Sequence, residues 1–305
     1  MVRRLLQGNR AKPVNHVDMR LGDGWHKRNF LSEVVLPSMF TRRHGQKIKP
    51  VFPPLEKGQI CITWIGHASF LIQTCEHSVL IDPNWAKWLK VIKRIKHPGI
   101  ELHDLPAIDL VLVTHAHFDH LDRKTLRAIA RDQPIAVPNN VGNLVHGLGF
   151  NQVHEMHHWD TFQHGALKIT LTPARHWGAR VLHDSHRGFG GFLIEYEGRS
   201  IFHCGDTAYF DGFAEIGTRS DIDIALLPIG AYDAPTKRDV HMNPEQALQA
   251  FVELKAKMMI PMHFGTFRLS YEPLEEPPQR LLEKALELQL LDRVRLLNEG
   301  EPALF

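Results

Sequence analysis

The alternation of apolar and polar positions is irregular up to about residue 58 and regular from Gln59 onward. In the first part, five prolines and scattered basic residues interrupt the apolar runs, so we expect residues 1–58 to form an irregular arm packed on the main domain. Short apolar runs bounded by turn residues follow, and this pattern predicts strands. The runs lie at residues 60–65, 69–74, 78–83, 108–113 and 135–137. Helical spacing of Leu126, Ile129 and Ala130 predicts a helix over residues 123–131.

The second half of the chain repeats this order of strands followed by a helix. Its apolar runs predict strands at residues 167–172, 191–196, 200–204, 222–228 and 258–261. Asn243, Pro244 and Gln246 have the spacing of a capping box with proline at the first helical position, so we predict a helix from there to about residue 254. Two such halves predict an α/β fold, a four-layer αβ/βα sandwich of two mixed sheets with helices outside, formed by residues 59–305.

The segment from residue 114 to residue 120, THAHFDH, directly follows the apolar run 108–113. It carries four side chains that can bind metal: His115, His117, Asp119 and His120. Imidazole nitrogens and carboxylates together suit a borderline divalent ion such as zinc. An isolated histidine is more often an ordinary core residue, but even with 21 histidines in 305 residues this ordered pattern should arise by chance in fewer than about one in a hundred sequences. We therefore predict a metal site.

Two metal ions need more than four side chains, and three further candidates lie just beyond predicted strands: His176, Asp206 and His263. Each alone is weak evidence, because polar residues often follow strands. Their shared placement beside the first motif supports one joint metal centre. Gly205 would let the backbone turn sharply before Asp206. His67, in a turn after the first predicted strand, is also expected near the site.

The composition limits the partners and the location of the protein. A formal net charge of +2 gives no broad positive field, so we expect no nucleic acid partner. The three cysteines form no C-x-x-C pair, which favours a reducing, cytoplasmic location. No apolar run approaches the roughly 18 residues of a membrane span, and the apolar stretch near the N-terminus is too short for a signal peptide. A homodimer is left open.

Residues 85–97 are unusual for a chain of nearly neutral charge. If they are helical, the two tryptophans and three aliphatic residues lie on one side and most of the basic residues on the other. Such basic amphipathic helices bind anionic membrane surfaces. The alternative is a helix packed on the core with a solvated basic face. Both interpretations stay open, so peripheral contact with the inner face of a membrane is one expectation.

Beyond these patterns, the motifs resemble those of the metallo-β-lactamase superfamily, and more narrowly the branch of phospholipases D that hydrolyse N-acyl phosphatidylethanolamine. The His-x-His-x-Asp-His run, the later histidines and the aspartate of Gly205-Asp206-Thr207 resemble the superfamily. The segments that resemble the narrower branch are WIGHAS, PARHW, HMNPEQA, HFGTF and YEPLEEPP, which begin at residues 64, 173, 241, 263 and 271. The resemblance spans residues 35–285, and it departs from the lipid-acting members around residues 180–191 and in the length of the N-terminal arm.

The resemblance implies the metallo-β-lactamase fold and a ligand set for two divalent ions, with zinc favoured over iron or manganese. One ion would be held by His115, His117 and His176, and the other by Asp119, His120 and His263, with Asp206 bridging both. We expect a metal-bridged hydroxide to attack the phosphorus of a phosphodiester, in a phospholipid or another small substrate. His241, just before a helix N-terminus, would contact the phosphate or protonate the leaving group.

Some roles and functions have alternatives that the sequence leaves open. Asp82 either accepts a hydrogen bond from a ligand histidine and so assists catalysis, or is a turn-forming residue before proline. His241 is either functional or a surface histidine beside a helix. The rival functions are a lactonase of the type that acts on ascorbate 6-phosphate, and a metal-binding protein without catalysis.

Overall fold

The computed structural model describes residues 28–45, 49–181, 184–236 and 238–305. Its strands, in chain order, are β1 (Cys61–Gly66), β2 (Ser69–Gln73), β3 (Ser78–Ile81), β4 (Trp88–Leu89), β5 (Ile92–Lys93), β6 (Leu110–Leu112), β7 (Ile135–Pro138), β8 (Val153–Met156), β9 (Thr161–His164), β10 (Leu167–Thr172), β11 (Gly191–Tyr196), β12 (Arg199–His203), β13 (Ile224–Pro228), β14 (Met258–Met262) and β15 (Pro302–Leu304). Within these residues, one sheet has the order β15-β1-β2-β3-β6-β7-β8 and the other the order β14-β13-β12-β11-β10-β9.

Most of the α-helices begin where the sequence supplies a capping side chain or a proline. A π-helical turn at Leu31–Val35 leads into α1 (Leu36–Phe40), and the others are α2 (Arg123–Ile129), α3 (Gly212–Arg219), α4 (Pro244–Glu253) and α5 (Glu276–Glu287). Asp122 caps α2 by accepting hydrogen bonds from two backbone amides. The capping box of Asn243 and Gln246 at the start of α4 is confirmed. Among the described residues, no helix is both long and apolar enough to span a bilayer.

Alternate residues of the central strands enter different hydrophobic clusters, as the two-residue period of a strand requires. In the first sheet, Trp64 and Phe70 belong to a cluster that also contains Phe192 and Phe202 of the second sheet, while Leu80 and Val111 pack with Leu126 and other residues on the side of α2. Residues of α3, α4 and α5 extend the larger cluster over the second sheet. The predicted fold of two mixed sheets with helices outside is therefore confirmed.

Strand direction decides where the site forms. Strands β3, β6, β7 and β8 are parallel, and β1 runs the same way because it is antiparallel to β2, which is antiparallel to β3. In the second sheet β12, β13 and β14 are parallel, and β10 shares their direction through the antiparallel β11. Six of these strands precede candidate site residues: β1, β3, β6, β10, β12 and β14. Their carboxyl ends therefore point to a common edge of their respective sheets.

Two sequence-based expectations are corrected. Residues 85–97 are not a helix: β4 and β5 form a small antiparallel hairpin that turns at Lys90, whose φ is 55°. Arg94, expected on a solvated basic face, is fully buried and donates hydrogen bonds to the carbonyls of Asn84 and Lys96. The arm is also not wholly irregular, because it contains the π-helical turn and α1; its part before residue 28 lies outside the described residues.

Candidate metal centre

The structure brings all seven predicted metal-binding side chains together at the edge formed by the strand ends. His115, His117 and His176 gather with Asp206 in one group, which we call the first subsite. Asp119, His120 and His263 gather with His67 in a second group, the second subsite. In each group the donor atoms lie within 4.8 Å of one another. Motifs that are up to 148 positions apart in the sequence (115 to 263) thus form one centre.

Ring nitrogens crowd together in the first subsite. His117 Nδ1 lies 2.9 Å from His115 Nε2 and 3.2 Å from His176 Nε2. The other ring nitrogens of two of these histidines contact neighbouring groups of the protein. His115 Nδ1 is 3.0 Å from the Thr114 hydroxyl, and His176 Nδ1 is 3.0 Å from the Val240 carbonyl. These outer contacts orient the inner nitrogens towards one point.

The second subsite is built from two imidazoles facing two carboxylates. The Nε2 atoms of His120 and His263 each lie 3.1 Å from Asp206 Oδ2, and 3.6 and 3.5 Å respectively from Asp119 Oδ2. Separations of this size are those expected between ligand atoms that surround one ion at about 2.0 Å in a tetrahedral arrangement. His263 has a left-handed backbone, with φ of 62°, so the loop after β14 is bent to deliver this ring.

Asp206 lies between the two subsites. Its Oδ2 is 3.1 Å from His120 and His263 in the second subsite, and 3.8 and 3.9 Å from His115 and His176 in the first. Gly205, with φ of 64°, makes the turn that points the carboxylate inward, and a Cβ there would lie 2.7 Å from the Gly190 carbonyl. This placement agrees with a bridging carboxylate.

Asp82 does not enter the centre but lies behind it. This buried residue has one carboxylate oxygen 2.7 Å from His120 Nδ1, and it accepts hydrogen bonds from the backbone amide and hydroxyl of Thr114. It therefore fixes the orientation of His120 and the start of the metal-binding segment, as the first alternative proposed. It touches no position that a substrate could reach.

The pKa values of the predicted ligand histidines are shifted in opposite directions in the two subsites. Burial lowers the pKa of His115 and His176 well below the usual value. Burial acts in the same direction on His120 and His263, but the charge of Asp206 and the other neighbouring carboxylates raises the pKa of His120 well above normal and that of His263 to about 9. The second subsite thus attracts positive charge, whereas the first holds neutral imidazoles.

The donor set fits divalent metal ions. Several buried polar atoms that point into the centre have no hydrogen-bond partner among the described residues: Nε2 of His120 and His263, and both oxygens of Asp206. Leaving so many buried polar groups unsatisfied is costly unless a ligand pairs with them. Neutral imidazoles with a shared carboxylate suit zinc, and also iron or manganese.

His241 lies at the open side of the centre. Its Nδ1 is 3.8 Å from Asp206 Oδ2, and its ring is 5.3 Å from that of His176 and 5.1 Å from that of His263. Burial lowers its pKa to about 4, against the raising effect of Asp206, so the ring is neutral near pH 7. The indole of Trp177, partly exposed, packs 4.8 Å from the His117 ring and borders the same opening.

His67 is the site residue that the sequence analysis placed only loosely. Its Nε2 lies 2.9 Å from Asp119 Oδ2, and its ring is 4.0 Å from that of His263. The signal that could have found it is the one that found His176 and His263, namely a histidine directly after a strand of the right direction.

Comparisons with known proteins agree with this geometry. A family model described as the β-lactamase superfamily domain matches residues 77–264, more than half of the chain. The chain is 33% identical over 243 residues to an uncharacterized protein of Mycobacterium tuberculosis, covering 75% of this chain and 65% of that protein. It is 32% identical over 273 residues to the mitochondrial N-acyl-phosphatidylethanolamine-hydrolyzing phospholipase D of Saccharomyces cerevisiae, covering 82% of this chain and 55% of that one. The chain therefore spans less than two thirds of the length of these relatives.

Solved structures show the same fold. The metallo hydrolase Igni18 from Ignicoccus hospitalis superposes with a TM-score of 0.62 at 26% identity, over 81% of this chain and 98% of that chain.

Proposed function

Because this chain belongs to the metallo-β-lactamase superfamily and is a metal-dependent hydrolase, we propose that it cleaves a phosphodiester bond with two divalent metal ions. Zinc is the metal that we favour. The substrate we propose is an N-acyl phosphatidylethanolamine or a related phospholipid. The named yeast relative supports this substrate class, and the segments that begin at residues 64, 173, 241 and 263, which resemble that branch, contribute histidines to the centre.

The observation that carries the proposal is the position of Asp206 between two groups of imidazoles. A carboxylate within 3.9 Å of four ring nitrogens from both subsites suits two ions held side by side. Two-metal sites of this kind suit phosphodiesters because both the attacking and the leaving oxygen need stabilisation. When bound, the ions would polarise the phosphoryl group and lower the pKa of a water molecule towards about 7.

The chain's own residues would bind the substrate and manage the proton. Neutral His241 faces the opening, where one ring nitrogen can donate a hydrogen bond to a phosphoryl oxygen or to the leaving oxygen. Trp177 borders the same opening and offers an apolar surface that excludes water from one side of the substrate. Asp82 holds His120 and takes no direct part in the reaction.

An exposed apolar surface supports a lipid substrate. Leu31, Leu36, Met39 and Phe40 of the helical arm and Trp88 and Val91 of the hairpin are all exposed, Phe40 at 85% and Val91 at 60%. We call these six residues the apolar surface. Lys93 joins its two parts, since its ammonium group donates hydrogen bonds to the carbonyls of Met39 and Thr41.

Charge around the apolar surface favours an anionic bilayer as its partner. Arg42, Lys87 and Lys90 are basic residues beside it, and Lys90 is exposed. Lys90 also lies 4.2 Å over the ring of Phe118, which is part of the metal-binding segment, so this surface adjoins the centre. Apolar side chains with flanking basic residues bind anionic interfaces without any membrane-spanning helix. We propose peripheral binding at the cytoplasmic face of a membrane, and the three free thiols agree with that compartment.

Vesicle sedimentation tests the lipid contact. The wild-type protein is expected to pellet with phosphatidylcholine vesicles that contain phosphatidylglycerol. A double variant that carries both Phe40→Glu and Trp88→Glu is expected to lower the bound fraction about tenfold. Leu286→Glu, which charges an exposed leucine at the end of α5, serves as the matched control. Equal pelleting of all three proteins would remove the membrane contact from the proposal.

A substrate panel tests the reaction. We expect turnover of N-acyl phosphatidylethanolamine and of a bis-aryl phosphodiester to exceed that of lactones and of a cephalosporin. His241→Gln should lower kcat about a hundredfold while the metal content is unchanged, because proton transfer or phosphate contact is lost and the ligands are kept. Faster turnover of lactones would favour the lactonase, and absence of all turnover in the metal-loaded protein would favour a binding protein without catalysis.

A further inference from the structure

The backbone of His67 is held in a conformation that few residues adopt. Its φ is 57°, in the left-handed region where residues other than glycine are uncommon. Three hydrogen bonds fix it there: its amide donates to the hydroxyl of Thr266 at 2.8 Å, and its carbonyl accepts from the indole of Trp64 at 2.9 Å and from the amide of His263 at 3.0 Å. Strained backbone that the surroundings over-determine is typical of functional positions.

This backbone places a buried imidazole against the second subsite. His67 Nε2 lies 2.9 Å from Asp119 Oδ2, and the ring packs 4.0 Å from that of His263 and edge-on to Phe267. Its Nδ1 is buried and has no hydrogen-bond partner among the described residues. The only hydrogen bond of this ring in the described structure is therefore the one with the Asp119 carboxylate.

Among the histidines of the second subsite, His67 approaches the Asp119 carboxylate most closely. The ring nitrogens of His120 and His263 lie 3.6 and 3.5 Å from Asp119 Oδ2, as expected for ligands that share an ion with it. The 2.9 Å separation at His67 is that of a charge-assisted N–H···O hydrogen bond. His67 is thus a hydrogen-bond partner of the Asp119 carboxylate, as Asp82 is of the His120 ring.

We propose that His67 is a positioning residue of the second subsite, whose Nε2–H holds the Asp119 carboxylate in the orientation that metal binding requires. The proposal rests on the two-ion site of the proposed function. From the other side, the side-chain amide of Asn84 donates to the carbonyls of Phe118 and Asp119 at 3.0 and 2.8 Å. Asn84 therefore fixes the backbone of Asp119 and His67 fixes its side chain, so the loss of the His67 ring should free the carboxylate while the Asp119 backbone stays held.

Metal affinity measured without turnover tests this role. Metal-stripped wild type, His67→Ala and His67→Gln would be titrated with zinc against a chromophoric chelator to obtain the two dissociation constants. His67→Ala should weaken one of the two about 10- to 100-fold and leave the other within a few fold, as loss of an orienting partner does. His67→Gln should restore most of the loss, because its amide group can donate the same hydrogen bond.

Controls separate this role from general damage and from the proposed function. His154→Gln changes another histidine, whose ring stacks on Phe162 away from the centre, and should leave both constants unchanged. Two unchanged constants in His67→Ala would overturn the positioning role. If His67→Gln loses an ion as completely as His67→Ala does, the positioning role would be overturned and His67 would be a direct ligand. A wild type that binds a single ion would refute the dinuclear site itself, and this role of His67 with it.

Discussion

The two subsites share Asp206 but differ in charge and in support. The first subsite relies on three imidazoles with lowered pKa values, two of which are held on their outer side by a hydroxyl and a carbonyl. The second has Asp119 in addition to Asp206, a further buried carboxylate at Asp82, and His120 and His263 with raised pKa values. The second subsite therefore places more carboxylate groups next to its imidazoles than the first subsite does.

This difference suggests distinct tasks for the two positions. The additional carboxylates and their rigid support favour a tightly held ion in the second subsite once its histidines lose their protons. The first subsite adjoins the partly exposed indole of Trp177, which suits contact with substrate. A shared carboxylate couples the two, so changes at Asp206 should affect both subsites and changes behind one subsite should affect only that one.

Asp206→Asn should have the largest effect, because it removes the charge shared by the two subsites. We expect the metal content to fall from two ions to fewer than one per chain, and kcat/KM for a phosphodiester to fall by about a thousandfold or more. Elemental analysis and steady-state kinetics measure both. Asp211→Asn, at an exposed aspartate, is the control for a simple change of charge. Retention of two ions by Asp206→Asn would contradict the bridging role.

A change of pH should separate the subsites. In the metal-free protein His263 has a pKa of about 9, so below that pH its proton must leave before the metal binds, and affinity falls as pH decreases. From pH 9 to pH 7 we expect the second subsite to weaken by at least about a hundredfold, since each unit costs about tenfold per proton and the raised pKa of His120 means that its proton must leave as well. The first subsite, with neutral histidines, should change little. Zinc titrations at the two pH values measure this, and a parallel change in both subsites would disagree with the assigned charges.

Asp82→Asn should have a smaller, selective effect. The substituted amide would keep the shape of the side chain but lose the charge that orients His120, so we expect the second subsite to bind zinc about tenfold to thirtyfold more weakly. Asp109→Asn is a matched control, because Asp109 also joins neighbouring strands by accepting a backbone hydrogen bond, from Ser78. Equal weakening of both subsites by Asp82→Asn would mean that Asp82 supports the fold in general.

Much of the centre could be predicted from the sequence, because its ligands follow strands. The apolar run before His115 located the first motif, and the strand ends before His176, Asp206 and His263 identified the rest. Assignment of these residues to particular ions came only from the resemblance, since spacing along a chain does not give distances in space. His67 met the same strand-end criterion but needed the structure to show its contact with Asp119.

Other features depended on tertiary contacts that local patterns do not encode. Residues 85–97 have helical periodicity, yet the buried Arg94 binds the carbonyls of Asn84 and Lys96 and a hairpin forms instead. Strand β15 exists because the end of the chain pairs with β1. Helices α3 and α5 and strands β8 and β9 were not predicted either, although α5 has proline in its first turn.

The most direct test of the account is the crystal structure of the zinc-loaded protein with anomalous scattering measured at the zinc edge. We expect two peaks, one within bonding distance of His115, His117 and His176 and the other of Asp119, His120 and His263, with the Asp206 carboxylate contacting both. A single peak, or two peaks of which one lies away from Asp206, would contradict a dinuclear centre built around that residue.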